Sequence, residues 1–180
     1  MSDFYDLEAA LSEQEPFIAP TAYVAPGAVV SGAVTLGDHT SIWHNSVLHG
    51  DVAPITVGNR SSIQECCCVH VGFNTPTIIG DDVTIGHGAI IHGCTIERDC
   101  TIGMGAIIMD HAVVGEGSFV GAGAIVTEHT IIPPNSVVIG APARVRRQTT
   151  ELERQSTQMS VSHYVAEAEK AMRKQTASQE

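Results

Sequence analysis

One spacing governs this chain: an aliphatic residue recurs every six positions. The series runs Ile18, Val24, Val30, Leu36, Ile42, Leu48, resumes at Val57, Ile63, Val69 and again at Ile79, Ile85, Ile91, then continues unbroken from Ile96 through Ile102, Ile108, Val114, Val120, Val126 and Ile132 to Val138. Period six is neither the 3.6 of an amphipathic helix nor the two of an alternating strand. It suits a short strand followed by a tight corner, with three such units closing a triangular coil and coils stacking into a solenoid. A small or β-branched residue sits four places after most of the aliphatics (Ala22, Thr40, Ser46, Cys67, Ala89, Cys100, Ala106, Ser118), where it would fill the corner. Aromatic residues are only 4% of the chain, so the core must be closed by Val, Ile and Ala.

The pattern resembles the hexapeptide-repeat, left-handed parallel β-helix from about residue 17 to 140. The expected organisation is an N-terminal segment over 1–16, a β-helix domain over 17–148, and a C-terminal helix and tail over 149–180. The stretch from Ile139 to Arg147 looks like an exit strand. Thr150 and Glu153 have capping-box spacing, and Val161, Tyr164, Val165, Ala168 and Met172 share one helical face. One C-terminal helix is expected, its apolar face docked on the β-helix or on a neighbour, with Ser156–Ser162 as the place where it could break, and loose ends over 1–12 and 176–180.

Charge narrows the function. The chain stands at −11, and residues 1–143 carry two bases, Arg60 and Arg98, against fifteen acids. Such a surface repels polyphosphate, so neither nucleic acid nor an anionic membrane is expected as a partner. No apolar run is long enough for a membrane helix, and the acidic N-terminus lacks the pattern of a signal peptide. Five cysteines without CxxC spacing read as reduced thiols in a cytoplasmic protein. Cys67 and Cys100 would be corner fillers, with a thiolate ligand from Cys66 or Cys68 as the alternative.

The repeat breaks at three places, all beside histidines. Leu48 to Val57 is nine residues, Val69 to Ile79 is ten, and Ile91 to Ile96 is five. Insertions in a solenoid are expected as loops on one side. Counting one coil as eighteen residues plus insertions places His49, His70 and His92 at one position of successive coils. The same count sets Glu65 one coil below His87, around a corner from that ladder. Neighbouring coils lie about 4.8 Å apart, close enough for two imidazoles to share an ion. His87 could join them only from a neighbouring prism of a trimer, giving three histidines and an open position, the arrangement of catalytic zinc. A stacked polar ladder without metal is the alternative. His39, His44, His111, His129 and His163 fall off the ladder and are expected at surface or structural positions.

The segments Leu48-His-Gly-Asp-Val-Ala-Pro-Ile55, Ile63-Gln-Glu65, Val69-His70 and Ile85-Gly-His87-Gly-Ala-Ile-Ile-His92-Gly-Cys-Thr-Ile96 resemble the γ-class carbonic anhydrases, over nearly the whole chain. The resemblance implies a homotrimer with intersubunit metal sites whose ligands are His70, His87 and His92, holding zinc, with iron(II) or cobalt(II) as other occupants. It implies reversible hydration of carbon dioxide to bicarbonate by a metal-bound hydroxide. Gln64 would position the nucleophile or bicarbonate and Glu65 would handle protons. Asp51 would pair across the subunit interface, and Tyr164 would lie near the metal. His49 stands where the family has an arginine, so its pairing with Asp51 across the interface would be weaker and pH-dependent. Val52 and the loop from Val71 to Thr77 lack the acids that export protons in archetypal members, which implies low activity. The alternatives are a hexapeptide acyltransferase using an acyl-CoA, a metal-dependent acyl-CoA thioesterase, and a non-catalytic metal-binding or assembly subunit.

Overall fold

In a computed structural model describing residues 10–177, each six-residue unit forms a short strand and a corner, and like strands of successive coils pair in parallel. The result is a left-handed parallel β-solenoid of about seven turns with a C-terminal helix. The inward series is sealed. Leu36, Ile42, Leu48, Ile63, Ile85, Ile102 and Val120 are wholly buried, each contributing about 1.5–3 kcal/mol of burial. Only the first coil is open, leaving Ile18 exposed because nothing stacks beneath it among the described residues.

The outward side chains define three faces. On the first, Val29, Val47, Cys68, Ile90, Ile107 and Ile125 stack in register. The second stacks Thr35, Thr56, Ile78, Thr95, Val113 and Ile131. The third stacks Tyr23, Ser41, Ser62, Thr84, Thr101 and Phe119. Strand Arg144–Gln148 turns back antiparallel on Ser136–Ile139 and ends this third face.

The first insertion corrects an expectation. The insertion between Leu48 and Val57 is not a loop but part of one strand, Val47–Val57, which rounds the corner beside strand Val29–Leu36 and joins the first two faces into an 11-stranded sheet. The two backbones approach closely at Gly32 and Gly50, where a Cβ on Gly50 would stand 2.7 Å from the Ala33 carbonyl oxygen. The second insertion does project: Gly72 and Thr75 exchange backbone hydrogen bonds (3.1 and 3.0 Å) around Asn74.

The C-terminal region is the single helix expected. It runs without a break over Glu151–Ala177. Thr150 and Glu153 form the capping box: the Thr150 N–H donates to Glu153 Oε2 (2.8 Å), and the Glu153 N–H to Thr150 Oγ1 (3.2 Å). Where it could have broken, hydroxyls bond back to its own carbonyls, Thr157 to Glu153 and Ser162 to Gln158. Small hydroxyl residues on the third face let the helix lie close, with Val161 and Ala168 buried against it and Tyr23, Trp43 and Met172 packed around Ala168. Of the ends expected to be loose, residues 10–12 are helical and 176–177 belong to the C-terminal helix, while the expectation for residues 1–9 and 178–180 lies outside the described residues. Among those described, no helix is long and apolar enough to cross a membrane.

Candidate metal centre

Strands Cys68–His70 and Ile90–His92 pair in register, which sets His70 and His92 side by side at the end of the first face. Their ring centroids are 5.2 Å apart, and His70 Nδ1 lies 3.2 Å from His92 Nε2. Each ring meets a carboxylate with its other nitrogen. His70 Nε2 is 3.2 Å from Asp51 Oδ1, and His92 Nδ1 contacts Asp110 Oδ1. A carboxylate draws the ring N–H of a neutral histidine to its side and so selects the tautomer. The two facing nitrogens then point lone pair at lone pair, an arrangement that favours a cation between them. A tetrahedral ion with metal–nitrogen bonds of about 2.05 Å holds two ligand nitrogens about 3.3 Å apart. The observed separation therefore fits a shared divalent metal.

His49 continues the ladder downward. Its ring stacks on His70 (centroids 5.8 Å, 23°), its Nδ1 lies 2.7 Å from Ser31 Oγ, and its Nε2 lies 3.5 Å from Asp51 Oδ2. A His49–Asp51 contact is thus already made within one chain. His49, Asp51 and His70 also form the one group of three potential ligand atoms lying within 4.8 Å of one another among the described residues. Two candidate ligand sets therefore share His70.

His87 stands apart from this group, at the corner where the helix-covered face turns into the first. Its Nδ1 lies 2.7 Å from Glu65 Oε2, and its backbone N–H donates to Gln64 Oε1 (3.1 Å). Tyr164 reaches the same corner from the helix, its ring edge-on to Trp43 (6.0 Å). Burial, then the nearby charge of Glu65, holds the Tyr164 hydroxyl above its ordinary pKa. One chain thus carries two clusters on different edges, His70 with His92, and His87 with Glu65, Gln64 and Tyr164. Each of the three expected ligands has one ring nitrogen turned to a carboxylate.

Asp110 and Ser31 were not among the expected site residues. Asp110 had a readable signal. The five-residue step after Ile91 shifts the register, so that His111 N–H bonds to the Gly93 carbonyl and Asp110 falls beside Gly93. Gly93 has φ +51°, and a Cβ there would lie 2.6 Å from Asp110 Oδ1. A glycine next to a histidine, one shortened coil from an acid, marks the space that acid occupies. The buried thiols take no part: burial pushes Cys67 up to about 11, and Cys94 and Cys100 up to about 12.

Comparison with known proteins bears on these clusters. Two family models match part of the chain, "Bacterial transferase hexapeptide (six repeats)" over residues 93–128 and "Hexapeptide repeat of succinyl-transferase" over residues 76–109. A Methanocaldococcus jannaschii protein named "Probable carbonic anhydrase" is 51% identical over 148 residues, 82% of this chain and 93% of that one. "Gamma carbonic anhydrase 2, mitochondrial" of Arabidopsis thaliana is 39% identical over 159 residues, 85% of this chain and 57% of the longer plant protein. The crystal structure of a hexapeptide transferase family protein from Anaplasma phagocytophilum superposes with a TM-score of 0.81 at 39% identity, covering 86% of this chain and 91% of that one.

Proposed function

Because the chain belongs to the γ-class carbonic anhydrase family, we propose that it hydrates carbon dioxide reversibly at a zinc centre assembled between the subunits of a homotrimer. The observation that carries this reading is the 3.2 Å approach of His70 Nδ1 to His92 Nε2, each ring held from behind by a carboxylate. A bound divalent ion supplies Lewis acidity that makes a nucleophile of water at neutral pH. The chain's own residues prepare the place. Asp51 and Asp110 hold His70 and His92 in the tautomers that present their facing nitrogens. Glu65 holds His87 by Nδ1, so that Nε2 is free to meet the pair of a neighbouring subunit. Gln64, with Oε1 engaged by the His87 backbone, offers its amide N–H groups to an oxygen of the substrate. Glu65, with a 40% exposed side chain, carries the proton outward.

Two further features support the assembly and the substrate. Val29, Val47 and Ile90 form an exposed apolar stripe on the face that carries His70 and His92, a surface that association with a second copy would cover. Carbon dioxide is neutral and small, so an acidic body does not oppose its approach. Acyl transfer is the reading that the transferase-named structure brings. The phosphates of an acyl-CoA donor need open cations; Arg60, Arg98, Arg147 and Arg154 are engaged by Asp82, Asp99, Glu153 and Glu151, which leaves exposed Arg144 and Arg146 as the patch such a donor would use. Hydration is favoured over it.

The test is metal analysis joined to a carbon dioxide hydration assay on protein stripped of metal and then restored with zinc. The reading requires about one zinc per chain and activity that returns with it. Full zinc loading with hydration no faster than buffer would remove it. His92→Ala should lose the zinc and His49→Ala should keep it; the reverse would place the ion on His49, Asp51 and His70.

A further inference from the structure

Two histidines outside this centre form a pair of their own. His111 and His129 occupy equivalent corners of successive coils, each in the left-handed backbone region (φ 59° and 58°). Backbone hydrogen bonds fix both corners, His111 N–H to the Gly93 carbonyl (2.7 Å) and His129 N–H to the Asp110 carbonyl (3.0 Å). Coil stacking therefore sets the separation of the two rings. They lie face to face, 4.7 Å between centroids and 4° from parallel, and both residues are exposed. Among the described residues, neither ring has a hydrogen-bond or ion-pair partner for its nitrogens. This differs from His49, His70, His87 and His92, each of which has a polar partner.

We infer that His111 and His129 form a second, surface cation site that chelates one late first-row divalent ion through two imidazole nitrogens. The donor set selects the ion class: two imidazoles with no carboxylate or thiolate in the group suit copper(II) and nickel(II) better than magnesium or calcium, and copper(II) binds tightest. The parallel stack must open for this: bonds of about 2.0 Å bring two ligand nitrogens to about 3 Å, and each ring tilts by roughly 45° so that both in-plane lone pairs meet one ion. Exposed side chains with unengaged nitrogens can do so, while the anchored corners keep the two rings on one side of the molecule. Water completes the coordination, and exposed Glu128, next to His129, favours a cation nearby. The site is independent of the proposed hydration activity and needs neither His87 nor the His70–His92 pair.

The test uses the whole chain, stripped of metal and titrated with copper(II) while electron paramagnetic resonance counts the coordinated nitrogens. His111→Asn and His129→Asn are the informative variants, because asparagine already fills left-handed corners here at Asn45, Asn74 and Asn135. His39→Asn is the control, a half-buried histidine in the same backbone region that faces Glu169 and has no stacked ring. Each variant of the pair should lose one copper(II) with a two-imidazole signature, its affinity falling at least tenfold, while His39→Asn retains it. Equal copper stoichiometry in wild type and pair variants, or an equal loss in all three variants, would overturn the site and leave a stacked surface pair.

Discussion

The coils from Ile96 to Val138 and those from Leu48 to Ile96 are built from the same six-residue unit and put it to different uses. In the later coils the spacing never breaks. In the earlier ones it breaks three times, and each break adjoins part of the candidate centre: the nine-residue step contains His49 and Asp51, the ten-residue step follows Val69 and contains His70, and the five-residue step contains His92 and Gly93. The core is equally sealed in both, with Ile63, Val69, Ile85 and Ile91 as buried as Ile102, Ile108 and Val120. The departures are thus confined to what faces outward. A solenoid can shift or lengthen its outer path while its inward column stays intact, because each coil is bound only to its neighbours.

If the two regions differ only on the outside, Ile85→Ala and Ile102→Ala should each cost about 2–5 kcal/mol, the range for emptying a wholly buried aliphatic site. Urea denaturation of each variant measures this. A cost under about 1 kcal/mol for Ile85→Ala alone would show that the broken coils are loosely packed after all.

A smaller effect in stability, and a specific one at the site, is expected at the boundary between the regions. Gly93→Ala must adopt φ +51° with its Cβ 2.6 Å from Asp110 Oδ1, so it should destabilise the chain by about 1–2 kcal/mol. By displacing Asp110 from His92, it should also weaken zinc affinity about 10–100-fold. Asp110→Asn should reproduce the affinity loss with little change in stability. Competition titrations with a zinc chelator would show this, and unchanged affinity in both variants would deny Asp110 its role behind His92.

The smallest effect lies away from both regions, where the helix begins. Hydrogen bonding to Arg147, then to Thr150, holds the Glu153 carboxyl down at about 2. Its unfolded value is about 4.3, so this contribution is complete above that pH and fades as pH falls towards 2. Helical circular dichroism of wild type should decline over that window, and Glu153→Gln should flatten part of the decline. Parallel curves would mean that the clamp does not hold the helix start. Because these groups are exposed, the effect should be slight.

The inward column, the corner residues and the capping box were legible in the sequence because each follows from spacing that a single coil or helical turn imposes. The stacking of His49, His70 and His92 followed from the same count. What escaped depends on how two backbones share space. The nine-residue step read as a loop, yet Gly32 and Gly50 let two strands round a corner together. The serines and threonines at 156–162 left a break open, yet Thr157 and Ser162 bond back along the helix and Thr157 also meets Thr101 of the third face. Asp110 was countable, eighteen residues after His92, but the shortened coil sets it beside Gly93 rather than in register with His92. The alignment of His111 with His129 was countable, one coil of eighteen residues, but the parallel approach of their rings was not.

The central claim is that each metal centre takes His87 from one subunit and His70 with His92 from the next. Mixing His87→Ala chains with His70→Ala chains tests it directly. Neither variant alone can build a complete centre. Any trimer containing both kinds has one interface where an intact His87 faces an intact His70 and His92. Separated mixed trimers should therefore bind about one third of the wild-type zinc, with the parent variants near zero. Mixed trimers of verified composition that bind no more zinc than their parents would contradict the shared centre.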